Sequence, residues 1–118
     1  MRIFLYGIFF LLFAASAQAV EISATDEIIV RSVNAVVFAM TANLKLTPDQ
    51  VAAVRPIVTD YTVKVSKLQQ SLREGAIDGK TMFDKRAELT DEEDKALGPI
   101  LSPSQMKMFI MMQKNQSI

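Results

Sequence analysis

Cysteine and histidine are both absent from this chain of 118 residues. Without cysteine there is no disulfide to staple an exported fold, so packing alone must hold it, and no cysteine is available for lipid attachment. Without histidine, the commonest general base and the commonest transition-metal ligand are missing together. There is no glycine-rich phosphate loop and no nucleophile motif. The carboxylates cluster in one run, "DEED" at Asp91–Asp94, instead of forming an isolated inward pair. These absences argue against an enzyme, and no catalytic residue, cofactor or metal site is expected. An excess of one charge is lacking as well: 13 basic residues face 13 acidic ones. No broad basic field exists to draw nucleic acid or an anionic lipid surface. Half of the chain is hydrophobic, which argues against wholesale disorder.

What is present begins with a leader. Arg2 and the amino terminus supply positive charge, "IFLYGIFFLLFAA" (Ile3–Ala15) is a short apolar core, and "AQA" (Ala17–Ala19) is a small-x-small cleavage signal. Residues 1–19 therefore read as a secretory signal peptide. The rival reading, an uncleaved anchor, needs about 20 apolar residues, and this run stops short. Cleavage leaves residues 20–118, a length that suits a single domain with no stable membrane insertion. The expected destination is export from the cytoplasm, which the resemblance described below narrows to the periplasm.

Two pentads then repeat, "LTPDQ" at Leu46–Gln50 and "LSPSQ" at Leu101–Gln105. Each reads as a helix start. Thr47 and Ser102 take the N-cap. Pro48 and Pro103 take N1, where the missing N–H costs nothing. Gln50 and Gln105 fall at N3 and complete capping boxes. Leu46 with Val51, and Leu101 with Met106, have the spacing of a hydrophobic staple. The plainest reading is that these letters start helices and do nothing more.

The rest of the chain is also helical in pattern. Ile29, Val33, Val36 and Met40 recur at helical spacing, with Val30 and Val37 widening the stripe, which predicts a helix over 26–42 capped by Ser23 or Thr25. After Pro48, the seam Val51, Val54, Val58, Tyr61, Val65, Leu68 and Leu72 alternates steps of three and four, a heptad pattern. Pro56 should bend that helix, and Gly75 should end it as a C′ residue. "GAIDGK" (Gly75–Lys80) is the expected turn. A third helix is predicted over 80–97, with Met82, Phe83, Ala87, Leu89, Ala96, Leu97 and Ile100 as a thinner apolar face. Its "DEEDK" run reads as a solvated face, and "LTDEE" at 89–93 as the interior of a continuous helix. The last helix, from Pro103 to about Lys114, is apolar on two sides: Met106, Phe109 and Ile110 on one, Met108, Met111 and Met112 on the other. The fold class is therefore all-α: a small bundle of about four helices built on a long bent antiparallel hairpin.

The paired pentads resemble the LTxxQ signature of the Spy/CpxP group of bacterial periplasmic proteins. "LKLTPDQVAAVRPIV" is similar to the first signature and the start of a long helix, and "GPILSPSQMKMF" to the second. The signature falls on Leu46, Thr47 and Gln50, then Leu101, Ser102 and Gln105, with serine in place of the second threonine. The resemblance implies a helical hairpin paired into a homodimer. It also implies an ATP-independent holdase-like chaperone for unfolded proteins, or an envelope-stress adaptor that restrains a sensor. This chain departs from the family in being near neutral, where the well-known chaperones are basic, and in lacking the histidines of zinc-binding relatives. The requirement for a holdase is an exposed, adaptable apolar patch, and methionine suits it. Met106, Met108, Phe109, Ile110, Met111 and Met112 are the candidates, although the same side chains would serve a core or a dimer seam equally well. Two other readings stand beside it. One is a regulatory or structural bundle that engages an envelope sensor through the hairpin. The other is Cu(I) ligation by methionine thioethers.

Overall fold

The structure, a computed structural model, describes residues 26–116; the signal-peptide reading and the caps expected at Ser23 and Thr25 lie outside the described residues. Four α-helices account for nearly all of it, and there is no strand among the described residues. They are α1 (Asp26–Leu44), α2 (Pro48–Arg73), α3 (Gly79–Leu97) and α4 (Pro103–Gln116). The chain is an all-α, four-helix small bundle.

The helix ends follow local chemistry. α1 runs two residues past the predicted end, to Leu44, and closes on Lys45, whose φ of 54° is left-handed. That conformation lets the Leu46 N–H reach back to the Thr41 carbonyl at 3.3 Å, the long bond of a Schellman motif. The motif also swings the Leu46 side chain into the core. α2 begins on the Thr47 cap and continues through Pro56 to Arg73. It ends as the sequence indicates, with Gly75 at φ 75°. There the Ala76 N–H bonds the Ser71 carbonyl at 2.9 Å and the Gly75 N–H bonds the Leu72 carbonyl at 3.1 Å, a complete Schellman pair. α3 starts one residue earlier than predicted because Asp78 caps it, accepting from the Thr81 N–H at 2.8 Å. Thr90 lies inside α3, its hydroxyl donating to the Arg86 carbonyl, so "LTDEE" does not restart a helix.

Gly75 offers a clean test of the turn. No atom lies within 4 Å of where a Cβ would stand, so only the backbone conformation opposes a side chain. Gly75→Ala should destabilise the fold by about 1 kcal/mol, the usual cost of a left-handed L-residue. The expected result is a lowered urea midpoint with an unchanged slope.

α2 and α3 form an antiparallel hairpin. Tyr61 Oη lies 3.3 Å from Thr90 Oγ1, and Lys64 Nζ lies 2.9 Å from Asp60 Oδ2 and 3.5 Å from Glu92 Oε2 across the pair. The heptad seam faces inward over most of its length: Val54, Val58 and Val65 are buried, and Val51, Tyr61 and Leu68 half-buried. Leu72, at the far end, is exposed.

The core gathers at the end of the hairpin where the pentads lie. Val33, Val37, Met40 and Leu44 enter from α1, Val54 and Val58 from α2, Leu97 from α3 and Phe109 from α4, with Leu46 and Leu101 from the two turns. Met40, Val54 and Leu97 are fully buried. Beyond this hub the hairpin continues as a two-helix arm. A single pair of helices covers only one stripe of each partner, so Phe83 and Ala87, expected on the apolar face of α3, are exposed instead, as is Ala96.

Candidate functional site

The repeated pentads sit side by side, and their glutamines bond to each other. Each first builds its own cap. Thr47 N–H donates to Gln50 Oε1 at 3.0 Å and Gln50 N–H to Thr47 Oγ1 at 3.2 Å. Ser102 N–H donates to Gln105 Oε1 at 2.9 Å and Gln105 N–H to Ser102 Oγ at 3.2 Å. The side-chain amides then cross. Gln50 Nε2 donates to Gln105 Oε1 at 2.8 Å and to the Ile100 carbonyl at 3.0 Å. Gln105 Nε2 donates to Gln50 Oε1 at 3.2 Å and to the Leu44 carbonyl at 3.1 Å. Both amide hydrogens of each glutamine are used, and each oxygen accepts twice. Glutamate serves a capping box as well as glutamine does, but it could not supply these donors. The second copy of the pentad is therefore explained by the first. Leu46 and Leu101, buried just before the caps, seat the clasp on the core.

The methionine-rich helix divides into two faces. Phe109, expected on the candidate surface, is a core residue at 4 % exposure. Met106 and Met112 are half-buried and pack against that core. The inward face is thus Met106, Phe109 and Met112, at steps of three. Met112 does not stay with Met108 and Met111, as three thioethers converging on one ion would require. Met108, Ile110 and Met111 remain exposed.

A second uncovered apolar surface lies on α1. Val33, Val37, Met40 and Leu44 bury one side of it, which ties it to the bundle. On the other side Ile28 is 67 % and Phe38 76 % exposed, with Val30 close behind. At about 100° per residue, Ile28, Ala35, Phe38 and Ala42 share one face about 80° wide. No charged residue interrupts α1 from Ser32 to Leu44, and the helix has the length and composition of a membrane span. The sequence reading used only one stripe of α1. The missed signal was that its apolar residues exceed what one buried face can take.

Comparison with protein-family models, with curated proteins and with solved structures finds no match to this chain. The chemistry of the surface therefore rests on the residues alone.

Glu93 is another residue the sequence reading placed wrongly. It belongs to the "DEEDK" run taken as solvated, yet it is 6 % exposed. The indication was there: Leu89, Glu93 and Leu97 stand at i, i+4 and i+8, so the apolar stripe of α3 passes through position 93. The Gln113 amide of α4 donates to Glu93 Oε1 and to Asp94 Oδ1, each at 3.2 Å. Burial is the main cause that pushes the Glu93 carboxyl up, to about 7, with the neighbouring Asp94 charge adding to it and the Gln113 bond opposing. Asp94 is raised as well, chiefly by its own burial.

Proposed function

We propose that this protein is a periplasmic holdase-like chaperone or envelope-stress adaptor that holds unfolded or partner proteins on the uncovered apolar surfaces of α1 and α4. The observation that carries the reading is the exposure of Phe38 and Ile28 on α1 and of Met108 and Met111 on α4. A solvent-facing apolar surface of this kind is unfavourable in water unless something covers it. Methionine and phenylalanine supply contact area without fixed polar partners, and methionine adapts to irregular surfaces. The paired pentads, similar to those of Spy/CpxP proteins, support the same reading, as does the leader at residues 1–19. A homodimer through part of this surface belongs to the proposal.

The test is suppression of aggregation by the processed chain, residues 20–118, at stoichiometric amounts against several chemically unfolded clients. Wild-type protein should keep them in solution. Phe38→Ser with Met108→Asn and Met111→Asn changes only exposed side chains. It should leave the unfolding free energy within about 1 kcal/mol of wild type and remove most of the suppression. A wild-type protein inert toward every client would end the chaperone reading.

The adaptor alternative has its own support at the far end of the arm, where Phe83 is 74 % exposed and Leu72 is 39 % exposed. Those two residues are the contacts an envelope sensor would use if the hairpin is what it grips. Co-purification from an envelope fraction that depends on Phe83, with no effect on aggregation, would favour it.

A further inference from the structure

A cavity of about 190 Å³ opens where all four helices meet. Val36 of α1, Val58 of α2 and Phe109 of α4 form apolar walls. Arg86 and Glu93 of α3 stand seven residues apart along one side, about 10 Å by helical rise. Tyr61, Thr62, Thr90 and Gln113 contribute hydroxyl and amide groups between them. Three apolar side chains face six that carry polar or charged groups, so the space is amphipathic, and it lies between helices, where bundles hold small ligands.

Two features mark it as more than imperfect packing. Glu93 is buried on the α3 stripe that elsewhere carries leucine, where holding a charge is costly. Gln113 reaches its Oε1, but no hydrogen bond reaches its Oε2 among the described residues, and no cation pairs with it there. Arg86, exposed at the mouth on the other end, pairs with no carboxylate among the described residues and is available to an incoming anion. The cavity thus carries an acid and a guanidinium that do not meet each other.

We propose that this cavity binds a small zwitterion, its ammonium group on Glu93 and its carboxylate on Arg86, with the short chain between them against Val36, Val58 and Phe109. The site is separate from the apolar exterior and does not depend on client binding. The other charged and titratable groups near Glu93 are few. α1 presents Val36 and α4 the Gln113 amide. α2 presents Tyr61, with Asp60 and Lys64 lining a neighbouring cavity on which Glu93 also opens. α3 adds Glu92, close to Lys64, and Asp94. None supplies a cation to the free oxygen of Glu93.

The linkage is specific. An ammonium group prefers the ionised carboxylate, and in the empty cavity Glu93 takes up a proton near pH 7. Affinity should then be constant above that pH and fall toward tenfold per pH unit as pH drops from 7 to 5.

The experiment is calorimetric titration of the processed chain with glycine, β-alanine, γ-aminobutyrate and 6-aminohexanoate, against propylamine and propionate as singly charged controls. One zwitterion should bind at least tenfold tighter than either control. Glu93→Gln should abolish both the ammonium preference and the pH dependence. Arg86→Gln should abolish the carboxylate preference and keep the pH dependence. Both variants should remain folded, since one removes a buried charge and the other alters an exposed side chain. No binding by any of the four zwitterions, or equal binding by wild type and Glu93→Gln, overturns the proposal.

Discussion

Replacing Gln50 by glutamate is expected to cost the fold about 3 kcal/mol while leaving the start of α2 capped. Glutamate has the same shape, can still accept from the Thr47 N–H, and its charge suits the first turn of a helix. The local motif should therefore survive. The cross-link should not. A carboxylate oxygen would take the place of Nε2, 2.8 Å from Gln105 Oε1 and 3.0 Å from the Ile100 carbonyl. Two half-buried acceptors would lose their donor and face a negative charge, and each such loss costs about 1–3 kcal/mol. In a domain this small that is a fall in melting temperature of roughly 10–20 °C. The mirror change Gln105→Glu strips Gln50 Oε1 and the Leu44 carbonyl in the same way. A double-mutant cycle of Gln50→Leu and Gln105→Leu should give a coupling of about 1–2 kcal/mol, as residues in one network do. Urea unfolding checks all five variants, the double one included. A loss below about 0.5 kcal/mol for Gln50→Glu would mean two independent caps that merely lie close together.

The clasp shows what the sequence could and could not disclose. Each cap was legible because a capping box is local: three residues, one period and a proline fix it. The contact between the caps was not, because Gln50 and Gln105 are 55 residues apart and no periodicity encodes which turns meet. The four helices, the inward seam of α2 and the stop at Gly75 were legible for the same local reason. Sidedness failed where a helix is apolar all round. On α4, spacing alone grouped Phe109 with Ile110, and tertiary packing separated them, burying the first and exposing the second. On α1, Phe38 drew no attention because the stripe through Val33 and Met40 already satisfied the pattern. On α3, composition won over position, since a run of four acids looks solvated whatever stripe crosses it.

Glu93 also makes stability depend on pH, with a sign the structure fixes. A carboxyl pushed up to about 7 in the folded chain, against an ordinary 4.5, binds more protons folded than unfolded between those values. Its contribution to stability is therefore complete below about pH 4.5 and disappears as pH rises through 7. At about 1.4 kcal/mol per pH unit, the loss amounts to about 3 kcal/mol. Asp94, raised in the same direction by its own burial, adds slope of the same sign. Asp78, lowered by its bonds to Thr81, acts only at more acid pH, where its cap is lost on protonation. Glu93→Gln removes the charge but keeps a side chain that can bond Gln113. It should leave stability near pH 4.5 almost unchanged, raise it by about 3 kcal/mol at pH 8, and flatten the profile between, apart from the remainder owed to Asp94. Urea midpoints of wild type and variant at pH 5 and pH 8 decide the matter. Parallel profiles would mean that Glu93 stays ionised in the folded state, its burial relieved by water entering the cavity beside Tyr61. If the profiles converge at acid pH, the fold is carrying a charge that apolar packing would dispense with. A leucine at position 93 would continue the stripe of Leu89 and Leu97, and its stability would carry no such dependence on pH.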